Sequence, residues 1–285
     1  MNSPLVTITL PTYNSTATLV ICLKSIFNQT YRNIEVNVID GGSKDNSIEI
    51  AKKFGVSNIK ILKGSLLEAR HEGVKLAKGK YILIFDSDQI LQPDSIERAL
   101  NLIEGKNLDM LAFGESVYKK DTFIEKLFNL DRRLINRIND LSPLTGVIMP
   151  RFFRTELLRK AYENIPKSMF PNTGGPDHAI VYYEARKISK KIGVLPKAVK
   201  HIEPRTLIQM WPKFYRWGYT SVDAHFGKYK RLMIQKERFR TGLFTKGLVK
   251  ESMGSILLLI LKGLSFKLGY YIGRLDKRLE IFRRY

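Results

Sequence analysis

Tyr81-Ile82-Leu83-Ile84-Phe85-Asp86-Ser87-Asp88 is the stretch that decides the fold class: a continuous apolar run stops abruptly at two acids separated by one residue. A short, unbroken run of this kind reads as a strand buried on both faces, as in a parallel sheet. Alternate residues of an extended segment point the same way. Asp86 and Asp88 are therefore expected to face one site at the C-terminal edge of a sheet, where open α/β folds place their ligands. Two hard oxygen donors there suit a divalent cation that also binds phosphate. Taken alone, the pair is equally explained by acids that begin the turn after a strand.

Outward from this run, the first 115 residues alternate strand and helix signals. Strands are predicted at Leu5–Leu10, Ile34–Asp40, Ile59–Leu62, Tyr81–Asp86 and Asp109–Glu115. Amphipathic helices are predicted at Thr16–Asn28, Asp45–Phe54, Leu66–Ala77 and Asp94–Ile103. Near-continuous Val, Ile and Leu alternating with amphipathic segments implies βαβ units and a mostly parallel sheet. Pro93-Asp94 opens its helix with a proline and an acid. Thr16 or Asn14 is expected to cap the first helix, and Ser43 the second.

From residue 116 to about 203 the pattern loosens. A charged helix is expected from Thr122 to Ile138. It is followed by Pro143, Gly146, Pro150 and the turn-rich run Pro171-Asn172-Thr173-Gly174-Gly175-Pro176-Asp177, then a helix from His178 to Lys191. This segment reads as an acceptor-facing layer on the sheet, after a nucleotide-binding half at 1–115. Residues 204–285 read as a third, helical segment. Within it, Ser255–Gly273 is apolar but interrupted by Lys262 and Lys267. A spanning helix wants about 20 consecutive apolar residues. An interfacial helix with lysines reaching to headgroups, an ordinary core or oligomer helix, and a spanning helix all remain open.

The formal charge is +21 over 285 residues, and its placement matters: from Arg205 to Tyr285 there are eighteen Lys/Arg against five Asp/Glu. A solvated face is the plain explanation. A polyanionic partner is the functional one, and interleaving with large apolar residues favours an anionic membrane surface over nucleic acid. No zinc spacing, RNP-like strand or helix-turn-helix pattern supports specific nucleic-acid binding. The single cysteine, Cys22, excludes an intrachain disulfide framework and fits a reducing compartment. Residues 1–10 read as a first strand and lack the pattern of a signal peptide.

Four further signals fall where one site would need them. Pro11-Thr12-Tyr13-Asn14 ends the first strand; alone it is a turn. Asp40-Gly41-Gly42-Ser43-Lys44-Asp45 ends the second, with glycines that let backbone approach a ligand and an aspartate able to accept from a base or ribose. Arg70 lies in the helix before the Asp86 strand, aimed at the sheet edge or simply solvated. Asp177 opens a helix after a glycine- and proline-rich loop, either as a dipole-stabilised acid or as a general base.

Together with Ala69-Arg70, Gly73, Ala77-Lys78-Gly79-Lys80-Tyr81 and Phe85-Asp86-Ser87-Asp88, these elements resemble the GT-A glycosyltransferases of family 2 over roughly residues 5–115. The resemblance implies a Rossmann-like GT-A domain. It implies an inverting transfer of sugar from a nucleotide-diphosphate donor to a hydroxyl acceptor, lipid-linked or membrane-proximal. Pro11, Tyr13, Asp40 and Arg70 would hold the nucleoside. Asp86 would contact ribose or phosphate, and Asp88 would bind Mg²⁺ or Mn²⁺. Beyond residue 115 the likeness thins. Relatives carry Glu-Asp before a helix, whereas this chain has Pro176-Asp177, so Asp177 stands alone as the candidate base. His201 resembles a histidine that some relatives place near the metal; a structural histidine is the plain alternative. Arg216 and Trp217, in an aromatic-basic stretch, are candidates for diphosphate contact or for a membrane interface. A polyprenyl-phosphate sugar synthase is the near alternative. A polyanion-binding protein and a nucleotidyltransferase are the distant ones, the latter lacking a glycine-rich phosphate loop at strand one.

Overall fold

The computed structural model describes residues 3–137, 140–145, 147–236 and 247–282. The alternation predicted for the first half is present: β1 (Val6–Thr12), α1 (Thr16–Phe27), β2 (Ile34–Asp40), α2 (Ser47–Lys53), β3 (Asn58–Ile61), α3 (Leu66–Leu76), β4 (Tyr81–Ile84), β5 (Gln89–Leu91), α4 (Ser95–Gly105) and β6 (Met110–Val117). There follow α5 (Phe123–Ile135), β7 (Pro150–Arg154), α6 (Thr155–Glu163), α7 (Asp177–Ile188), β8 (Ile192–His201), α8 (Leu207–Tyr219), α9 (Lys230–Lys236) and α10 (Val249–Phe282). The expected end of α5, Ile138, lies outside the described residues.

One eight-stranded sheet runs in the order β3-β2-β1-β4-β7-β6-β8-β5. The first four strands are mutually parallel, as βαβ crossovers require. β7 then runs antiparallel between β4 and β6, β8 lies parallel to β6, and β5 closes the edge antiparallel to β8. The sheet is thus parallel in its first half and mixed beyond it. β5, β7 and β8 were not predicted. β5 is three residues long and β7 five, too short to carry a hydropathy period. In β8 only four of ten residues are buried, so its apolar signal is weak.

Register fixes the site. Thr12 lies opposite Asp40, and Thr9 opposite Ile84. The ends of β1, β2 and β4 therefore open on one edge. One face of the sheet packs a core of Leu19, Leu23, Ile96, Ile103 and Phe152 under α1 and α4. The other packs Leu67, Leu158, Tyr162 and Ile180 under α3, α6 and α7. A third cluster, with Phe128, Met210 and Leu258, joins α5, α8 and α10.

Local starts differ in detail from expectation. Ser15 takes the N-cap position of α1, and the Asp45 carboxylate accepts from Thr16 N at 3.0 Å, so neither Thr16 nor Asn14 caps. Asn14 sits in the left-handed region at φ 48° and accepts from Lys44 N. Asp45 also accepts from Ser47 N at 3.0 Å at the start of α2, leaving Ser43 free to bond Asp40. α5 begins as predicted at Thr122, closed by a reciprocal capping box with Glu125.

α10 lies along α8 and α5. Two glycines permit the α8 contact: a Cβ at Gly218 would sit 1.9 Å from Phe266 O, and one at Gly269 would sit 2.0 Å from Tyr215 O. Lys262 was expected to reach outward. It turns inward instead, over the Phe128 ring at 4.4 Å and 3.7 Å from Asp131, because a buried carboxylate is available there. Lys267 remains exposed.

Candidate active site

The two acids of the opening stretch do not alternate along a strand. β4 ends at Ile84, and Asp86-Ser87-Asp88 forms a turn in which Gln89 N donates to Asp86 O at 3.0 Å. Asp86 and Asp88 accordingly diverge to different partners, yet both line one cavity of about 1990 Å³. Ser87 Oγ lies 2.9 Å from Ser15 Oγ, which ties this turn to the loop after β1.

Asp86 faces cations. Arg70 Nη2 lies 2.6 Å from Oδ1 and Arg151 Nη1 2.9 Å from Oδ2, with His178 Nε2 at 3.8 Å. Burial raises its pKa, but the two guanidiniums outweigh burial and hold it well below the usual carboxylate range. Arg70 is almost fully buried and also forms an ion pair with Asp177. It is therefore a bridge between Asp86 and Asp177 beneath the cavity. Asp177 begins α7, is 2% exposed, and lines the same cavity. Beside it, burial and then the charges of Arg70 and Arg151 push the His178 pKa down, so this imidazole is neutral near pH 7.

Asp88 faces a different set. His201 Nε2 lies 3.5 Å from Oδ1, and Lys213 Nζ lies 3.0 Å from Oδ2. His201 ends β8, which places it beside the Asp86–Asp88 turn through the bond from Ile202 N to Asp88 O. Its other ring nitrogen is 3.6 Å from Glu203. Glu203 also pairs with Arg132 at 2.8 Å, Arg132 pairs with Glu115, and Glu115 lies 3.0 Å from Arg151. A continuous chain of ion pairs and close polar contacts thus runs Asp177–Arg70–Asp86–Arg151–Glu115–Arg132–Glu203–His201–Asp88–Lys213. Burial raises the Glu203 pKa, but His201 and Arg132 pull it down to about 2.

The Asp88 end fits a divalent cation. A carboxylate and an imidazole converge there, a second carboxylate stands 3.6 Å from the other ring nitrogen, which is buried without a hydrogen-bond partner among the described residues, and the second Asp88 oxygen already holds a positive group. Among the described residues no cluster of three or more His, Cys, Asp or Glu gathers as a metal site. The protein would supply two ligands, and the rest would come from phosphate oxygens and water.

The remaining predicted residues fall around this axis. Tyr13 is 53% exposed and lies over Gly41, where a Cβ would come 3.1 Å from Tyr13 Cδ2. Pro11 is buried in β1 and lines the cavity floor. Asp40 is fully buried, and both oxygens accept from its own loop: Gly42 N at 2.9 Å, Ser43 N at 2.6 Å and Ser43 Oγ at 2.7 Å. It shapes the loop rather than facing the cavity. Arg216 is exposed at the cavity wall. Trp217 packs edge-on to Phe214 and against Gly175, where a Cβ would sit 2.6 Å from Trp217 O. α8 is thereby locked to the loop that carries Asp177.

Arg151, His178, Glu115, Arg132, Glu203 and Lys213 were missed. Arg151 lies second in an unpredicted strand, His178 reads only as the first turn of a helix, and the others are single charges in a chain rich in them. The available signal was Pro150-Arg151-Phe152-Phe153, an apolar pair behind a strand-opening proline.

Residues 7–174 match the model of glycosyl transferase family 2. The chain is 37% identical over 115 residues to the glycosyltransferase GlyG of Streptococcus pneumoniae, a match covering 38% of each chain. It thus spans about two fifths of that relative. Among solved structures it resembles S. aureus TarS in complex with UDP-GlcNAc, with TM-score 0.57, 16% identity, and 96% of this chain and 92% of that one covered. It also resembles the mannosyltransferase PcManGT from Pyrobaculum calidifontis in complex with GDP-Man and Mn²⁺, with TM-score 0.55, 15% identity, and 98% and 81% covered. At these identities the likeness is one of fold, the GT-A sheet with its helical flanks.

Proposed function

Because this chain belongs to glycosyl transferase family 2, we propose that it transfers a sugar from a nucleotide-diphosphate donor, with inversion, to an acceptor presented at a membrane. The observation that carries the reading is the convergence of Asp86, Asp88, His201 and Asp177 on one cavity through a single charge network. Tyr13 and the Gly41-Gly42 backbone would take the base and ribose, with Asp40 holding that loop closed. Arg216 would meet the diphosphate.

Asp88 and His201 would hold Mg²⁺ or Mn²⁺, which when bound neutralises charge on the leaving diphosphate. Asp86 has one oxygen on Arg70 and the other on Arg151, so any contact it makes with ribose or phosphate would be made beside those guanidiniums. Asp177 would accept the proton of an attacking hydroxyl, and one base suffices for direct displacement at the anomeric carbon.

One observation favours a second reading. Asp177 is buried and held by Arg70, which blunts a base. A phosphate acceptor, as in a polyprenyl-phosphate sugar synthase, needs none.

The outer face of α10 supports the membrane. Val249, Met253, Leu257, Ile260, Leu264, Leu268, Tyr271, Leu275 and Leu279 recur every three or four residues and are each at least 39% exposed. Lys250, Lys267 and Arg278 are exposed on the same helix. The helix is long and apolar enough to cross a bilayer, but its other side packs on α5 and α8. Lying in the interface at the cytosolic face fits both sides.

The test is thermal stability with UDP, GDP, CDP, ADP and dTDP, each with Mn²⁺ and with EDTA, in the wild type and Asp88→Ala. A metal-dependent rise with one diphosphate, lost in the variant, is expected. No rise with any diphosphate in the folded protein would overturn the donor site.

A further inference from the structure

We propose that Lys213 is a second cation of the donor site: its ammonium pairs with Asp88 in competition with a divalent ion, and its remaining N–H groups bind a phosphate oxygen of the nucleoside diphosphate with or without that ion. This rests on the donor-site reading above.

Lys213 reaches Asp88 across 125 positions of sequence, at 3.0 Å. Its side chain is 23% exposed and that of Asp88 28%, so the pair borders the cavity rather than lying in a sealed core. Asp88 thus has one oxygen toward His201 and the other on an ammonium. A divalent ion bound by Asp88 and His201 would meet that ammonium as a like charge, so the two compete for the carboxylate. While paired with Asp88 the lysine already neighbours an aromatic face on its own helix, toward which a displaced ammonium would move. Its Nζ lies 5.6 Å from the centroid of the Trp217 ring, one turn along α8. An ammonium on a flexible stem makes such a move without shifting the backbone. α8 itself cannot follow, because Gly218 and Gly175 fix it against α10 and the Asp177 loop. The lysine therefore stays beside the metal and the Arg216 wall, where a diphosphate would present its oxygens. Two consequences are separable. The free protein binds metal more weakly than its ligands alone would allow, and some nucleotide affinity survives without metal.

Both are measured on the full chain with UDP and GDP as probes, by calorimetry in EDTA and in saturating Mn²⁺, and with Mn²⁺ alone by electron paramagnetic resonance. In EDTA, Lys213→Met is expected to weaken diphosphate binding about tenfold, with Lys213→Arg restoring most of it. In saturating Mn²⁺ the gap should shrink to about threefold or less. With no nucleotide, Lys213→Met should bind Mn²⁺ at least about threefold more tightly. Lys213→Gln serves if the methionine variant is unfolded by circular dichroism. Equal diphosphate affinities in EDTA, equal Mn²⁺ affinities, or binding by the wild type in Mn²⁺ but none in EDTA would each overturn the lysine's role. Absence of UDP and GDP binding by the wild type even with Mn²⁺ is a different result, which removes the donor site itself.

Discussion

At the residue scale, Asp177 and Arg70 separate chemistry from support. If Asp177 is the base for a hydroxyl acceptor, Asp177→Asn should lower kcat by about 10²-fold or more with little change in donor KM. Unchanged turnover in a steady-state assay would point to a phosphate acceptor. Arg70→Ala strands the almost fully buried Asp177 carboxylate and leaves Asp86 with Arg151, and should cost about 3–5 kcal/mol of stability by chemical denaturation. Glu203 sets an acid limit. Its pKa falls from 4.5 to about 2 on folding, so its contribution is fully present above 4.5 and drains away as pH drops toward 2. Melting curves between pH 6 and about 2.5 should therefore show a shallower acid loss in Glu203→Gln. Sequence made Asp86, Asp88 and Asp177 visible because each follows an apolar run or opens a helix, where spacing carries meaning; His201 was visible only through the family resemblance. Their partners were harder to see: nothing local marks Lys213 among forty-eight basic residues, and Arg151 is marked only by the apolar pair that follows it.

At the element scale, the first four parallel strands were legible because their apolar runs alternate with amphipathic helices, even though β3 and β4 have only four residues each. The mixed half was not, since β5, β7 and β8 are short or half-exposed and exist by pairing with distant neighbours. The turn at Asp86–Asp88 has the same origin. β5 pairs with β8, so the chain has to bend where a longer β4 was expected. The glycine seam between α8 and α10 is equally hidden in sequence but testable. Gly218→Ala would push a methyl onto Phe266 O and should destabilise the protein by about 1–3 kcal/mol in thermal or denaturant unfolding, while Gly263→Ala, which meets nothing within 4 Å, should be neutral.

At the scale of the molecule, the stripe on α10 predicts a surface activity apart from catalysis. The wild type should sediment with vesicles containing phosphatidylserine and release as salt rises, each engaged basic residue adding about 1 kcal/mol. Replacing Met253, Leu257 and Leu268 by serine should abolish sedimentation without altering diphosphate binding, since none of the three lines the cavity. Retained sedimentation would assign the stripe to another occupant. The seam also bears on how the protein is made. Asp86 and Asp88 leave the ribosome long before Lys213, and α8 is held in place by backbone contacts to residues 266 and 269. Until α10 docks, that wall of the cavity lacks its support. Domains fold in the order they emerge, so the cavity gains its α8 wall only once α10 has followed, long after the acidic turn has been made.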